Sequence, residues 1–537
     1  MKYLSKVRNI KARKLRRITL GALSACWFAV AQPAFGDDKV TYNPLNGKLH
    51  LPEVHVGDDL YEADLKREMI DGSMRFVLQK AELLSVPQGT GKVILRNAAL
   101  VITADPKLGE GALGVIENGD VLFENDQIVK VGQNITDPDA TVIDVTGKMV
   151  LPGFVDTHNH LWQSLIRGCG ADKNVGGWIG ECTATLKRPD IIDEKSAYAT
   201  VRLSTLDVIA TGVTTVVEWT HSYTPGWTNG SLRALEESGL RYVFAYYISV
   251  GGEQRIADIK CVKETVIDPN PVAYMQIGGH PTRSRIERLI VAADLAQELK
   301  VPLNVHLLEN IEDRDDEPIK VLEDAGAFKP TLIVNHAVHL TDDEITFLAE
   351  KDVRVAHNPL SNMRLASGIM RFPDMHKAGM KIGLGLDGGT NDTSDMFATM
   401  KTAVGLQRAL LLKADVSPTL EEILLAATMG GAQVLGMEDT IGSLTPGKQA
   451  DIIVLKTDTV NFAPHWHPIN QIVLNGRPSN VEYVFVNGRA LKVKGKLLGV
   501  PEKEIVQAAE QAVQRIKDLL QQPEGEPEKL EVCSNGG

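Results

Sequence analysis

Eight short apolar runs recur through the middle of the chain, separated by longer stretches in which apolar residues fall three and four apart. The runs are VLPGFVDTHNH, VTTVVEW, RYVFAYYI, AYMQIGGH, PLNVHLLE, LIVNHAV, RVAHNP and KIGLGLD. Between them, EKSAYATVRLSTLDVIATG and SRIERLIVAADLAQELK carry helical spacing, and TDDEITFLAEK opens with a capping box from Thr341 to Glu344. Strand-like runs that alternate with helices across residues 151–438 predict an α/β fold, a (β/α)8 TIM barrel.

The texture changes on either side of this region. KVILRNAALVITAD, GDVLFENDQIVKVGQ and ATVIDVTGKMVLPG alternate in short runs with Asn-Gly-Asp and Thr-Gly-Lys turns between them. The same pattern returns in ADIIVLKTD and VEYVFVNGRALKVKGKLLG, with Asn487-Gly488 as the turn. These blocks, residues 91–150 and 439–500, predict one small β-sandwich domain assembled from both flanks of the barrel. Within 501–537, Ile505, Ala509, Ala512, Ile516 and Leu519 line one face of a terminal helix whose expected role is packing. Residues 37–90 are polar and read as an extension on the surface.

The first 36 residues form a further unit. MKYLSKVRNIKARKLRR holds eight Lys and Arg and no acid, and it precedes the apolar ITLGALSACWFAVA and the small residues of QPAFG. That order reads as an export signal, because the apolar run is short for a membrane span. Arg16-Arg17 resembles a twin-arginine motif, and LSAC resembles a lipobox that would place a lipid anchor on Cys26. The expected location is therefore outside the cytoplasm, periplasmic or membrane-anchored.

Composition narrows the partners. With 43% hydrophobic and 23% charged residues, the 537-residue chain is ordinary globular protein rather than disordered. Of its 57 basic residues eight leave with the signal, so 49 face 69 acidic ones, a net of −20. Such a chain is a poor partner for nucleic acid. A homo-oligomer binding a small molecule is the expected assembly. Cys169 and Cys182 are the one pair close in sequence, but the cysteine spacing fixes no disulfide framework.

Chemistry gathers at the run ends. His158 and His160 end the first run, His280 the fourth, His306 with Glu309 the fifth, and Asp387 the eighth, while His336 lies in the sixth. In a barrel these ends converge on one mouth, where active sites lie. His158 and His160, two apart on a strand, point to one face and can reach one ion. Imidazole with carboxylate suits zinc, iron or a similar transition ion. Any one of these residues is more often structural; polar residues at five strand ends together are hard to explain by packing.

PGFVDTHNH, VHLLEN, NHAVHLTDDEI, AHNPLSNMRLASGI and GLGLDGG together resemble the amidohydrolase superfamily, in its branch of adenosine-, guanine- and cytosine-type deaminases and triazine hydrolases. The resemblance extends from about Lys92 to Leu498. It implies a single metal ion, zinc before iron, held by His158, His160, His306 and Asp387. It also implies Glu309 as proton shuttle, His336 as the residue holding the metal's water, Asp387 in contact with both, Trp178 on a substrate-covering loop and His280 as a substrate contact. The implied reaction is loss of ammonia from an amino-substituted nitrogen heterocycle. Hydrolytic dehalogenation, cyclic-amide hydrolysis and a non-catalytic exported binding protein are the alternatives; an intact Glu309 and His336 argue against the last.

One departure bears on substrate. Nucleoside deaminases of this branch carry a ribose-clamping Glu beyond the Trp loop, where this chain has Lys187, Arg188 and Pro189 in TLKRPDIIDEKSAY. A free heterocyclic base is expected to be preferred over its nucleoside, with Arg255 or Lys187 as the replacement contact if a sugar binds after all. Several other features carry less. GLGLDG, Gly383 to Gly388, matches GxGxxG but lies at the last barrel run, not at a dinucleotide site. Glu218 lacks the partners of a second metal site. His221 could equally line the mouth or lie in a solvated loop, His339 and His357 could stand beside the site or in the core, and the His465-x-His467 pair lies outside the barrel, where packing is the better account.

Overall fold

The computed structural model describes residues 41–43, 48–56, 59–70, 73–84, 88–248, 252–388, 393–526 and 531–532. The expected export signal, with Cys26, lies outside them, as does Cys533. The chain divides into two compact units, one ending at Val86 and the other beginning at Pro87. The first is an antiparallel sheet of β1 (Thr41–Asn43), β2 (Lys48–Val56), β3 (Asp59–Ile70) and β4 (Ser73–Leu84), paired in chain order. The polar N-terminal segment thus has regular structure of its own.

The second unit begins with β5 (Lys92–Ile102), β6 (Val115–Glu124), β7 (Gln127–Gly132), β8 (Thr141–Asp144) and β9 (Met149–Pro152). The chain then enters eight parallel strands: β10 (Phe154–Asn159), β11 (Val213–Thr220), β12 (Arg241–Tyr247), β13 (Ala273–Gly279), β14 (Leu303–Leu307), β15 (Leu332–His336), β16 (Arg354–His357) and β17 (Ile382–Leu384). They pair in chain order as a nearly closed barrel, and each coincides with one of the eight apolar runs. Apolar side chains on both faces explain this. Val216, Tyr242 and Phe244 belong to the large core, while Val217, Trp219, Val243 and Ala245, one step out of phase, form a second cluster with Val155 and Ile333.

After the barrel come β18 (Ile452–Leu455), β19 (Val481–Val486), β20 (Arg489–Val493) and β21 (Lys496–Leu497). β18 lies antiparallel to β9, so both flanking blocks join in one nine-stranded sheet. A buried pair fastens this sheet to the barrel: Arg241 at the start of β12 donates to both oxygens of Asp451, at 3.0 and 3.1 Å. The terminal helix, Glu502–Leu520, buries Ile505, Ala509, Ala512 and Ile516 and packs beside the helix Glu194–Ala210. Its amphipathic stripe is spent on packing, as expected. No helix among the described residues is long and apolar enough to cross a membrane.

Candidate metal centre and active site

The barrel brings four ligand-type side chains together at the C-terminal ends of its strands. His158 lies on β10 and His160 just beyond it, His306 on β14, and Asp387 after β17. The Nε2 atoms of His160 and His306 are 3.3 Å apart, and Asp387 Oδ1 lies 3.3 Å from His158 Nε2 and 3.5 Å from His160 Nε2. Ligand atoms each about 2.1 Å from one ion at near-tetrahedral angles stand about 3.4 Å apart. The donors present therefore fit one transition ion. Among the described residues neither buried ring nitrogen of His158 has a hydrogen-bond partner, which is costly unless something else engages them.

The backbone places these ligands with care. Asp387 N donates to the His158 carbonyl at 2.8 Å, His160 N donates to the Asp387 carbonyl, and Asn159 and Asp387 form a parallel bridge that closes the barrel at the mouth. Asp156 reinforces this seam, its carboxylate accepting from Leu386 N at 2.9 Å and from Asn159 Nδ2 at 2.6 Å. Asp387 and His336 both take left-handed backbone conformations, φ +63° and +69°, uncommon for residues that carry a side chain. His160 Nδ1 donates to the Trp219 carbonyl at 2.7 Å, leaving its Nε2 lone pair for an ion.

Glu309 and His336 complete the group. Glu309 Oε2 is 3.7 Å from His336 Nε2, and its side chain is only 12% exposed. Burial, followed by the nearby Asp387 charge, pushes its carboxyl well above the usual range, as a proton carrier requires. Burial lowers His160 and His336 to about 4 and His158 and His306 below their ordinary value, so the imidazoles are neutral and able to bind metal. Burial also works to raise Asp387, but His158, His336 and His160 facing it hold it well below the carboxylate range.

Other expected residues have varied places. The His280 ring stacks on His306 at 5.1 Å and meets Trp219 at 5.3 Å and Tyr247 at 5.0 Å, beside the ligands. Trp178 packs with Val175, Cys182 and Leu365, next to a Cys169–Cys182 disulfide that the spacing alone did not assign. The indole that touches the ligands is Trp219, against His306 at 4.6 Å and His160 at 5.4 Å. Its role was hidden because it acts through a backbone carbonyl as well as a ring. Beneath the mouth, Asn335 donates to Asn304 and Asn304 to Gln276, at 2.7 and 2.8 Å, a buried amide ladder with no signature in sequence.

His221 sits in an aromatic cluster with Trp162, Trp219 and Tyr247 rather than in a solvated loop. His339 bonds to the Ser367 carbonyl, His357 faces Phe372, and His465 bonds to the Thr457 carbonyl away from the barrel strands. Glu218 accepts from Leu161 N at 2.5 Å, a structural bond. Arg255 is buried and donates to Tyr246 Oη, so it is committed within the fold. Arg188 donates to Asp190 and to the carbonyls of Leu519, Gln522 and Pro523, anchoring the C-terminal segment.

Residues 149–491 match the model of the Amidohydrolase family. A 5'-deoxyadenosine deaminase of Methanothermobacter thermautotrophicus is 31% identical over 432 residues, covering 78% of this chain and 98% of its own. A 5-methylthioadenosine/S-adenosylhomocysteine deaminase of Bacillus cereus is 33% identical over 415 residues, 73% of this chain and 93% of its own. Among solved structures, a zinc-bound adenosine deaminase of Xanthomonas campestris superposes with a TM-score of 0.72 at 24% identity, covering 80% of this chain and all of that one. An atrazine chlorohydrolase of Arthrobacter aurescens with zinc and atraton gives 0.69 at 21%, covering 78% of this chain and all of that one. At these identities the two structures speak for the fold.

Proposed function

The chain belongs to the amidohydrolase family, and from that premise we propose that His158, His160, His306 and Asp387 hold one zinc ion with which the protein deaminates an adenine-type ring. The protein is a metal-dependent hydrolase of carbon–nitrogen bonds other than peptide bonds, a deaminase of an amino-substituted nitrogen heterocycle. The observation that carries the finer reading is the convergence of those four side chains at 3.3–3.5 Å beside the Glu309–His336 pair.

The ion that these four residues would hold would supply Lewis acidity, which lowers the pKa of water toward about 7. The remaining work belongs to the chain. Glu309 takes a proton from the attacking water and passes it to the departing nitrogen, so that the ring C–NH2 bond is replaced by C–O and ammonia leaves. His336, neutral at working pH, hydrogen-bonds the attacking oxygen through Nε2. His280, partly exposed beside the ligand-type side chains, offers a flat surface suited to a heteroaromatic ring, and the fully buried Trp219 packs behind it.

The curated relatives are named for adenosine derivatives altered at the 5' position, which favours a nucleoside of that kind over the free base expected from the missing Glu. The free base stands as the second reading, because Arg188, near the expected place of the ribose clamp, is committed to the C-terminal segment. Ammonia release from 5'-deoxyadenosine and from adenine by the zinc-loaded protein separates them. A ten-fold higher kcat/KM for the nucleoside supports the first reading, the reverse ratio the second, and no release from either removes the adenine assignment.

The same proposal places the mature protein outside the cytoplasm. The basic, apolar and small-residue order of the first 36 residues supports this, as does the Cys169–Cys182 disulfide. A native protein still starting at Met1 in the cytoplasmic fraction would defeat it.

A further inference from the structure

The short helix Pro359–Arg364 touches the active site at one end and a covalently closed loop at the other. On the site side, Asn362 Nδ2 lies 2.9 Å from His336 Nδ1, and Asn358 Nδ2, just before the helix, lies 3.3 Å from the same atom. Ser361 donates to Asp387 Oδ2, the oxygen turned away from His158 and His160. On the other side, Arg364 Nη2 donates to the carbonyls of Cys169 and Gly170, at 3.2 and 2.9 Å. Cys169 is bonded to Cys182, so these carbonyls belong to a cross-linked loop.

An amide N–H can only donate, so two of them aimed at Nδ1 make that nitrogen the acceptor and put the imidazole proton on Nε2. Nε2 is the nitrogen that faces Glu309, and among the described residues it has no hydrogen-bond partner. His336 is thereby fixed as a donor toward the reacting centre. The side chains of Asn358, Ser361 and Asn362 are buried, and none of them can titrate in place of the imidazole.

We propose that Asn362 is the positioning residue that sets the working tautomer of His336, and that Arg364 holds its helix in register by pinning it to the loop closed by Cys169 and Cys182. The proposal rests on the reading of His336 as part of the deaminase site. Neither residue touches the reacting atoms; both act through the orientation of another group.

The test uses zinc-loaded full-length protein with 15N-labelled histidine, the His336 signals being assigned by their loss in His336→Gln. Long-range 1H–15N spectra of the wild type should show a bare Nδ1 and a protonated Nε2. In Asn362→Asp the carboxylate accepts, so the proton should move to Nδ1, with kcat down 10- to 100-fold, KM within three-fold and zinc content unchanged. Asn362→Ser, a smaller change should the aspartate fail to fold, should give mixed tautomers and an intermediate kcat. Arg364→Gln should give the same mixture, with Arg364→Lys recovering part of the loss. A protonated Nδ1 in the wild type, or wild-type tautomer and kcat in Asn362→Asp and Asn362→Ser, overturns the assignment to Asn362. Wild-type behaviour of Arg364→Gln overturns the pinning. Zinc-loaded wild type that releases no ammonia while showing the expected tautomers would sink the deaminase reading and leave the positioning standing.

Discussion

Replacing Glu309 by Gln separates proton transfer from metal binding. The amide has nearly the shape of the carboxyl it replaces, so packing around the largely buried side chain is kept, while the titratable proton is lost. Glu309 is absent from the four-residue ligand set, and its oxygen approaches His336 at 3.7 Å. Positioned acid–base catalysis contributes roughly 10²- to 10⁴-fold, or about 2.7–5.5 kcal/mol of barrier. Zinc content by elemental analysis should stay at the wild-type level, and thermal unfolding should shift little. Ammonia release under saturating substrate should fall at least a hundred-fold. Two results would refute the reasoning: kcat within three-fold of wild type, which would put the proton path elsewhere, or loss of zinc, which would make Glu309 a ligand.

Asp387→Ala removes the one carboxylate of the ligand set and should sharply reduce zinc content; two ions per wild-type chain would contradict the single-ion centre. Glu218 bears on stability. Burial pushes its pKa up to about 8, so the folded state keeps a proton that the unfolded chain releases near 4.5. Its contribution is therefore fully present below about pH 4.5 and is lost as pH rises toward 8, at up to about 1.4 kcal/mol per pH unit. Denaturant titrations across that window should show a shallower decline for Glu218→Gln, and an unchanged slope would mean that Glu218 is ionised in the folded protein.

What the sequence revealed and what it concealed divide along a physical line. The eight barrel strands were legible because a parallel strand covered on both faces must be a near-continuous apolar run, and such runs stand out between amphipathic helices. The candidate ligands could be grouped from the sequence because the fold sends every run end to one mouth, and the structure brings His158, His306 and Asp387 together there though they are scattered over more than two hundred positions. Supports that act through the backbone or through close approach left no such mark. The carbonyl of Trp219 orients His160, and any residue type can supply a carbonyl. Gly385 lies where a Cβ would stand 2.1 Å from Asn358 Oδ1, yet in GLGLDG it reads first as half of a nucleotide motif.

Arg188 shows the same limit from the side of specificity. In sequence it occupied the neighbourhood of a missing carboxylate, and the gap spoke against a sugar. In the structure its guanidinium is taken up by Asp190 and by three carbonyls at the end of the C-terminal helix, more than 300 residues away. Asp190 in turn accepts from Gly525 N at 2.8 Å, and Arg515 donates to the Ile191 carbonyl at 2.7 Å. The segment that follows the Trp178 loop is thus braced by the end of the chain, and the Cys169–Cys182 disulfide closes the loop itself. A segment held in this way keeps its shape without a ligand to order it. Among the rings around the ligand-type side chains, His280 is the partly exposed one, with Trp219 and Tyr247 packed against it. On the proposed deaminase reading, substitution of His280, more than of the clamp position, should change the ranking of base and nucleoside.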